Sequence, residues 1–328
     1  MNCLWSSKIT RSIPLLQIVV IIVVFISLAY LPPSSYSQIP FLPNSENKSS
    51  NNSYFNGNDQ NVGVDKFGIK EIYPTKSGGR EWFINMANPR NDPIFSLGSN
   101  QSIMKQSSSS GSNNNDISWR ITNPKVRMYV DTHPGSPQWK NVEITGYVNV
   151  NRTNITTAEH YQDDIPNHIA WLARSDVHTD NAPCNGTALS GSIDDDGTVG
   201  WKKEIWFTGG YTNESAQAKP INSIVGRWIG WKVVVYNTED DKAVKMESFL
   251  DDKNNNHWIR VTNLTDSGGW YADTSDREFY SVNCGRPKDY IVTNSGPRVF
   301  FRADNMVLDF KDLSVREIEP PPPAYVSS

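Results

Sequence analysis

Short runs in which apolar and polar residues alternate dominate this sequence, and they constrain its fold more than any other feature. Successive side chains of a β-strand point to opposite faces, so a period of two predicts strands with one buried face. The runs are rich in Val, Ile, Thr, Trp and Tyr, and Gly, Asn and Asp separate them. The predicted strands span residues 125–130, 142–149, 169–174, 188–193, 201–207, 228–236, 244–250, 258–261, 298–303 and 306–317.

The fold class follows from what lies between these strands. No stretch of useful length has the 3.6-residue period of an amphipathic helix. Residues 194–197, Asp-Asp-Asp-Gly, predict a tight reversal in which Gly supplies a positive φ, and residues 267–269, Ser-Gly-Gly, predict another. Many strands joined by turns predict an all-β jelly-roll sandwich of two antiparallel sheets. We place this domain at residues 65–319, because one all-β domain can hold about 250 residues.

Polar, low-complexity segments flank and interrupt the predicted domain. Residues 38–64 are rich in Asn and Ser and cannot bury enough apolar surface to offset their ordering entropy, which predicts a disordered tether. Residues 101–116 contain runs of Ser and Asn and predict a flexible loop. Residues 320–328 begin with four prolines, which lack ladder donors, and predict a Pro-rich tail.

The N-terminal segment, residues 1–37, predicts a hydrophobic helix that serves as a signal peptide or a membrane anchor. Lys8 and Arg11 precede an apolar stretch at residues 13–31, and the small residues Ser35 and Ser37 have the spacing that suits cleavage by a signal peptidase. An uncleaved anchor is the alternative. Because the basic residues precede the apolar stretch, the positive-inside rule places the rest of the chain outside the cell. We therefore expect an extracytoplasmic protein, secreted or tethered to the membrane by this segment alone.

The part predicted to be exported contains Cys184 and Cys284, and two thiols in an oxidising compartment usually pair. We expect a disulfide between them, with two buried free thiols as the alternative. A surface chain outside the cell is also expected to carry N-linked glycans. Eight Asn-X-Ser/Thr sequences are present, at Asn47, Asn51, Asn100, Asn151, Asn154, Asn185, Asn213 and Asn263.

The charge balance and the metal-ligand spacings exclude several classes of protein. With 31 basic and 35 acidic residues the net charge is −4, so the chain lacks the basic surface of an ordinary nucleic-acid binder. The five histidines show no zinc-site spacing, and we expect no cofactor. Calcium is the one exception. Acidic clusters at residues 194–196 and 251–252 could supply oxygen ligands, although acidic turns are commonly just solvated.

Alternation also assigns polar and aromatic side chains to one face of each strand. If these strands are neighbours in one curved sheet, the faces form a trough that suits a sugar chain. Trp and Tyr rings would cover pyranose rings, while charged groups would bind hydroxyls or uronate carboxylates. The alternative is a solvated sheet face with cross-strand ion pairs. The predicted substrate-binding residues are Glu143, Tyr147, Lys202, Glu204, Trp206, Trp228, Tyr236, Glu247 and Arg302.

Two segments resemble a known family. Residues 230–237, Gly-Trp-Lys-Val-Val-Val-Tyr-Asn, and the closing segment 310–318 resemble strands of the concanavalin A-like lectin/glucanase jelly rolls, and loosely those of polysaccharide lyases of the alginate-lyase type. The resemblance implies a concanavalin A-like jelly roll that interacts with a polysaccharide or glycan and cleaves a uronate-containing polymer by β-elimination. The chain departs from the lyase pattern at Gly230, where a Tyr is usual, and it lacks a Gln-X-His strand.

β-Elimination from a uronate requires a cation to neutralise the carboxylate, a base for the C5 proton and an acid for the leaving oxygen. Because the family's acid–base pair does not transfer, the candidates come from the chain itself. Arg174 or Lys232 would neutralise the carboxylate, and His178 or Tyr211 would exchange protons. The alternative is that His178 has no catalytic role and is simply a loop histidine beside the disulfide.

Three other functions remain open. A glycoside hydrolase would use two carboxylates, for which Glu204 with Glu143 or Glu247 is the predicted pair, but the glucanase Glu-X-Asp-X-Glu strand is absent. A non-catalytic glycan-binding module or adhesin of the same fold would use the trough for binding alone. A structural surface protein would need neither activity nor trough.

Overall fold

The computed structural model describes residues 63–106, 117–155, 167–177, 179, 182, 184–206, 210–238, 240–271 and 284–322. The predicted N-terminal helix, nearly all of the predicted tether and most of the predicted tail lie outside these residues. Within them, no helix is long and apolar enough to span a membrane.

The described residues fold into fourteen β-strands and one short 3-10 helix at Pro89–Asn91. Every pair of neighbouring strands is antiparallel, and the prediction of an all-β fold is confirmed. The strands are β1 (Glu81–Phe83), β2 (Phe95–Leu97), β3 (Ile103–Gln106), β4 (Ser118–Asp131), β5 (Val142–Thr153), β6 (His168–Ser175), β7 (Thr187–Asp194), β8 (Val199–Ile205), β9 (Gly210–Tyr211), β10 (Ser215–Ala218), β11 (Trp228–Asn237), β12 (Val244–Asp251), β13 (Ile259–Asp266) and β14 (Arg298–Glu317).

Each predicted strand is present, and the two predicted at 298–303 and 306–317 are the halves of one continuous strand, β14. β1, β2, β3, β9 and β10 were not predicted, because two to four residues give too little alternation to detect. β3 lies at the start of the predicted flexible loop, where Ile103 is buried and the strand pairs with β4. The predicted reversal at 194–197 is a hairpin turn between β7 and β8, with Gly197 at φ 84°.

β14 joins two layers of sheet. Its first half, from Arg298 to Asp304, pairs with β6, and its second half, from Met306 to Glu317, pairs with β5. Asn305 lies between the halves at φ 57°, a left-handed conformation that short polar side chains tolerate. We call the first half with β6, β7, β8, β9 and β10 layer A, and the second half with β5, β11, β12 and β13 layer B. β4 pairs with both halves, so one antiparallel sheet curls into both layers.

The two layers face each other across a hydrophobic core. Its largest buried side chains include Trp201 of layer A and Trp231 of layer B. Gly191 lets the layers approach closely, because a Cβ there would lie 2.7 Å from a methyl group of Val233. Trp201 Nε1 donates a hydrogen bond of 2.8 Å to Thr262 Oγ1 of layer B, so the buried indole N–H is satisfied across the core. Packing and this bond together fix the register of one layer on the other.

Cys184 and Cys284 form a disulfide, as predicted, with Cα atoms 5.5 Å apart. The bridge ties the connection between β6 and β7 to the segment that precedes β14. Closing a loop of about 100 residues stabilises a fold by about 4.7 kcal/mol on the chain-entropy account. Because disulfides persist in oxidising compartments, the pairing supports an extracytoplasmic location.

Candidate functional site

The residues predicted to form one trough lie on the outer faces of two different layers. Those on layer B are Glu143, Tyr147, Trp228, Lys232, Tyr236 and Glu247, and those on layer A are Lys202, Glu204 and Arg302. The single trough is therefore wrong, because alternation assigns each residue to a face of its strand but not the strand to a layer. The predicted hydrolase pairs are excluded for the same reason: the core separates Glu204 from Glu143 and Glu247.

Residues 63–75, which we call the covering segment, lie over the outer face of layer B. The backbone N–H groups of Ile72 and Tyr73 donate to Glu143 Oε2 at 3.0 and 3.4 Å. The Tyr73 hydroxyl donates to Glu247 Oε2 at 2.6 Å. Glu143, Lys232 and Glu247 are consequently no more than 1% exposed. A saccharide could reach these side chains only if the covering segment left the face.

Beneath the covering segment lies an ionic cluster of Glu143, Lys232 and Arg316. Lys232 Nζ lies 2.7 Å from Glu143 Oε1, and the Arg316 guanidinium lies 2.9 Å from Glu143 Oε2. Burial by itself raises the pKa of Glu143, but Lys232 and Arg316 outweigh it and hold that pKa below its usual value. Glu143 is thus an ionised carboxylate with donors on both oxygens. Lys232, predicted to neutralise a substrate, neutralises Glu143 instead.

Gly230 explains why the chain departs from the lyase pattern on this face. A Cβ at Gly230 would lie 2.5 Å from the Trp258 ring and 2.8 Å from the Tyr147 ring. Only glycine leaves room for both rings over β11. The Tyr147 hydroxyl donates to Asp251 Oδ2 at 2.9 Å, so this predicted sugar-binding ring is engaged in packing and hydrogen bonding within the protein.

The other predicted rings of layer B are also engaged. Tyr236 is buried and packs edge-on against Tyr73 of the covering segment, with ring centroids 5.6 Å apart. Trp228 is half-buried, and Lys311 Nζ lies 5.0 Å from the centroid of its ring. These predicted sugar-binding rings of layer B therefore contact other side chains of the protein.

Of the predicted residues that lie on neither outer face, Arg174 is held by hydrogen bonds within the protein. Arg174 is fully buried at φ 56° and donates hydrogen bonds of 3.0 and 2.5 Å to the carbonyls of Lys140 and Val292. Burial lowers the pKa of Arg174 to about 9. Arg174 thus ties three segments of chain together instead of facing a ligand. Trp206 lies just beyond the end of β8, and His178 lies outside the described residues.

An open pocket, which we call the layer A pocket, lies on the outer face of layer A. It has a volume of about 70 Å³, and three of the sequence-predicted residues line it: Lys202, Tyr211 and Arg302. Glu204 is buried beside it, paired in register with Tyr211. The other lining residues are His168, Ala170, Leu172, Ser190, Ser192, Asp194 and Glu214.

Strand register explains the shape of this pocket. Arg302 of β14 lies opposite Ala170 of β6, which lies opposite Ser192 of β7. In the neighbouring row, Ser190 of β7 lies opposite Lys202 of β8. Ala170, Ser190 and Ser192 therefore form much of the floor together with Leu172, and the long side chains of Arg302 and Lys202 rise on either side. Adjacent strands are about 4.8 Å apart, so the two walls begin about 14 Å from each other.

Asp304, a buried carboxylate, holds the Arg302 wall of the pocket in place. Its Oδ2 accepts a hydrogen bond of 2.6 Å from Arg302 Nε and lies 3.3 Å from His168 Nε2. Its Oδ1 accepts a hydrogen bond of 2.6 Å from Arg127. Burial alone raises the pKa of Asp304, but these three neighbours hold it below its usual value. Burial lowers the pKa of His168, so its imidazole is neutral at pH 7.

The pocket also contains a phenol and a carboxyl group with displaced pKa values. Tyr211 lies on the edge strand β9 and interacts with Glu204 and Arg302. The Tyr211 side chain is 42% exposed, but partial desolvation of its hydroxyl and the charge of Glu204 raise its pKa to about 12, so it stays a hydrogen-bond donor at neutral pH. Burial, reinforced by Glu214, raises the pKa of Asp194 to about 6. A carboxyl group that titrates near neutrality within a pocket is typical of a site of proton transfer.

The arrangement can bind a ligand that carries several hydroxyl groups and can exchange a proton with it. Cationic, anionic, hydroxyl and imidazole groups surround a floor that includes apolar side chains. Such a mixture matches the apolar ring faces and dense hydroxyls of a sugar. In the described part of the chain, no group of three or more His, Cys, Asp or Glu side chains is placed to hold a metal ion. Calcium binding stays a prediction.

The residues of this site that were not predicted include His168, Asp194 and Asp304. His168 begins its strand, and alternation with Ala170 would have assigned it to the pocket face. The sequence predicts Asp194 only as part of an acidic turn that could supply oxygen ligands to calcium. Asp304 falls between the two predicted halves of β14, so no face was assigned to it.

Solved structures resemble the chain over much of its length at low identity. A protein of unknown function with a galectin-like fold from Bacillus subtilis is 11% identical with a TM-score of 0.40, and the match covers 76% of this chain and 100% of that one. Peanut lectin is 9% identical with a TM-score of 0.39, covering 74% and 100%. An endo-β-1,4-glucuronan lyase from the fungus Trichoderma reesei is 9% identical with a TM-score of 0.37, covering 70% and 94%.

Lectins and a glucuronan lyase are the kinds of protein that the sequence resemblance named. No family model matches the chain, and no curated protein matches it. Identities and TM-scores this low do not assign an activity, so the function has to rest on the geometry of the layer A pocket.

Proposed function

We propose that this protein binds a saccharide in the layer A pocket. The observation that carries the proposal is the pocket itself. Lys202 and Arg302 rise on opposite sides of a floor of small side chains, and Tyr211, Ser190 and Asp194 add further hydrogen-bonding groups. Hydroxyl groups of a sugar require donors and acceptors that converge, and its ring requires a small apolar patch. Both are present here.

The size of the pocket narrows the proposal. A volume of about 70 Å³ accommodates part of one sugar ring, not an enclosed oligosaccharide. The recognised unit is therefore a single residue of a glycan, held while the rest of the glycan lies in solvent. We further propose that the protein meets this glycan outside the cell, which the disulfide between Cys184 and Cys284 supports. Export by the N-terminal segment and glycosylation at the predicted sequences are parts of the same proposal.

Cleavage of a uronate polymer by β-elimination is the second candidate function. A specific observation favours it: a cation, a carboxyl group with a pKa of about 6 and a phenol with a pKa of about 12 line the same pocket. Arg302 would neutralise the uronate, and Asp194 would accept the C5 proton. Tyr211 would then give its proton to the departing C4 oxygen as the C4–C5 double bond forms. These residues replace the predicted set of Arg174, Lys232 and His178.

A glycan array and an elimination assay separate the candidate functions. The full chain is applied to an array with neutral and uronate-containing glycans. It is then incubated with glucuronan and alginate while the absorbance at about 235 nm, where the conjugated product absorbs, is followed. Binding without absorbance supports a binding module, and both signals support a lyase.

An Arg302→Ala variant should lose array binding, whereas Lys242→Ala, on the exposed connection between β11 and β12, should retain it. Silence of the wild-type protein in both assays would refute the saccharide proposal and favour a structural surface protein. Binding that survives Arg302→Ala would move the site away from the layer A pocket.

A further inference from the structure

The Asp304 carboxylate contacts two residues that line the layer A pocket, Arg302 and His168. It is 1% exposed, and its two oxygens contact Arg127, Arg302 and His168. Arg302 and His168 line the pocket, whereas Asp304 does not. Asp304 therefore acts on a ligand only through the groups that it holds.

Two of these groups share a single oxygen. Asp304 Oδ2 accepts a hydrogen bond of 2.6 Å from Arg302 Nε, and the same oxygen lies 3.3 Å from His168 Nε2. A neutral imidazole places no charge beside this bond. A protonated imidazole would be attracted to Oδ2 and would repel the Arg302 guanidinium across a few ångströms of buried space, where charge interactions are strong.

We propose that Asp304 is a positioning residue for Arg302, and that protonation of His168 displaces Arg302 from it and weakens ligand binding in the layer A pocket. This inference rests on the proposed saccharide site and adds its regulation. Neutral His168 leaves Oδ2 to Arg302, so the guanidinium stays fixed against the pocket. Acidification charges His168, and the pocket loses its fixed cation.

The charged groups around His168 set the direction of this response. Asp304 and Arg302 face it from β14, and Arg127 reaches the same carboxylate from β4. Asp194 of β7 lies opposite His168 in register, and Lys202 approaches from β8.

Burial and the neighbouring cations lower the pKa of His168 below 6.5, so it charges only as the pH falls below that value. Asp194, with a pKa of about 6, titrates in the same range and has to be separated from His168 by substitution.

The coupling can be measured first without a ligand. In the full chain labelled with 15N, the Nε–H signal of Arg302 and the ring nitrogens of His168 are followed by NMR from pH 7.5 to 5. The Arg302 signal should move with the same midpoint as His168. In His168→Gln, which keeps a polar side chain but cannot titrate, the Arg302 signal should stay still. An Arg302 signal that ignores the titration of His168 overturns the proposal.

Binding gives the second test. Calorimetry with a β-1,4-linked glucuronate tetramer and with cellotetraose, its uncharged counterpart, is run at pH 7.5 and 5. The affinity of the wild type should fall about tenfold, the equivalent of one pKa unit, and that of His168→Gln by less than about twofold. Asp194→Asn should retain the fall, and Asp304→Asn should be weak at both pH values.

The outcomes distinguish the two proposals. If neither tetramer binds and the glycan array is silent, the saccharide site is wrong while the NMR titration still decides the coupling. If a tetramer binds with the same pH dependence in wild type and His168→Gln, or if Asp194→Asn alone removes that dependence, the role of His168 is wrong and the saccharide site stands.

Discussion

Removal of the Glu143 carboxylate is the most direct test of how layer B is closed. Glu143→Ala leaves Lys232 and Arg316 as buried cations and removes the acceptor for the backbone N–H groups of Ile72 and Tyr73. Breaking a buried ion pair by deleting one partner costs about 3–5 kcal/mol. Since a domain's whole stability is about 5–15 kcal/mol, this single change should remove a large part of it.

The measurement is urea unfolding of the full chain, followed by tryptophan fluorescence at pH 7. Thermal unfolding should show a fall in Tm of about 6–20 °C, because each kcal/mol shifts Tm by about 2–4 °C in a domain of this size. Trypsin should also cut earlier after Lys66 and Lys70 of the covering segment, which Glu143 anchors. Lys242→Ala, a change at an exposed lysine, should stay within about 0.5 kcal/mol of the wild type.

The stability that the Glu143 carboxylate contributes should depend on pH. Because the pKa of Glu143 is lowered in the folded protein, its contribution is present above the ordinary value of 4.5 and is lost as the pH falls through the folded value. The gap in stability between wild type and Glu143→Ala should therefore narrow in acid. A Glu143→Ala protein as stable as the wild type at pH 7, with unchanged trypsin resistance, would refute the buried cluster and the covering segment together.

Further predictions concern the pocket, the core and the disulfide. Asp194→Asn should raise the free energy of unfolding by about 1 kcal/mol at pH 7 but not at pH 4. Because the pKa of Asp194 is raised in the folded protein, its ionised form destabilises the fold only at pH values above the ordinary pKa of 3.8; urea titrations at both pH values check this. Ser190→Phe should fill the layer A pocket and abolish array binding while the circular dichroism spectrum is retained; unaltered binding would place the ligand elsewhere. Gly191→Ala should cost about 1–3 kcal/mol through a clash between the layers, measured by urea unfolding. Replacing Cys184 and Cys284 by serine should cost about 2–5 kcal/mol, and an unchanged Tm would argue against a stabilising bridge.

Local alternation was sufficient to predict the longer strands and the face on which most of their side chains lie. Glu143, Lys232 and Tyr236 do share one face, as their spacing predicts. Alternation is a property of a few neighbouring residues, so it carries no information about which strands pair. The partners of β14 are more than a hundred residues away in sequence, and only the pairing places Lys202 and Glu143 on different layers.

The covering segment shows a second limit. Tyr73 belongs to a stretch without strand periodicity, yet it reaches Glu247 across the chain. Nothing local marks that contact, because the groups that satisfy Tyr73 come from β5 and β12. The layer A pocket was predicted only in part for a related reason. Lys202, Tyr211 and Arg302 have polar tips on outward faces, but the small residues that make the floor carry no signal of their own.

The position of β14 in the chain has a consequence for biosynthesis. β14 is the last of the described strands in sequence, but it lies between β4, β5 and β6 in space. Until residue 317 has left the ribosome, β5 and β6 lack their common neighbour and neither half of the sandwich can close. We therefore expect the nascent polypeptide to stay unfolded until β14 has emerged and then to fold in one slow, cooperative step, as distant pairings require.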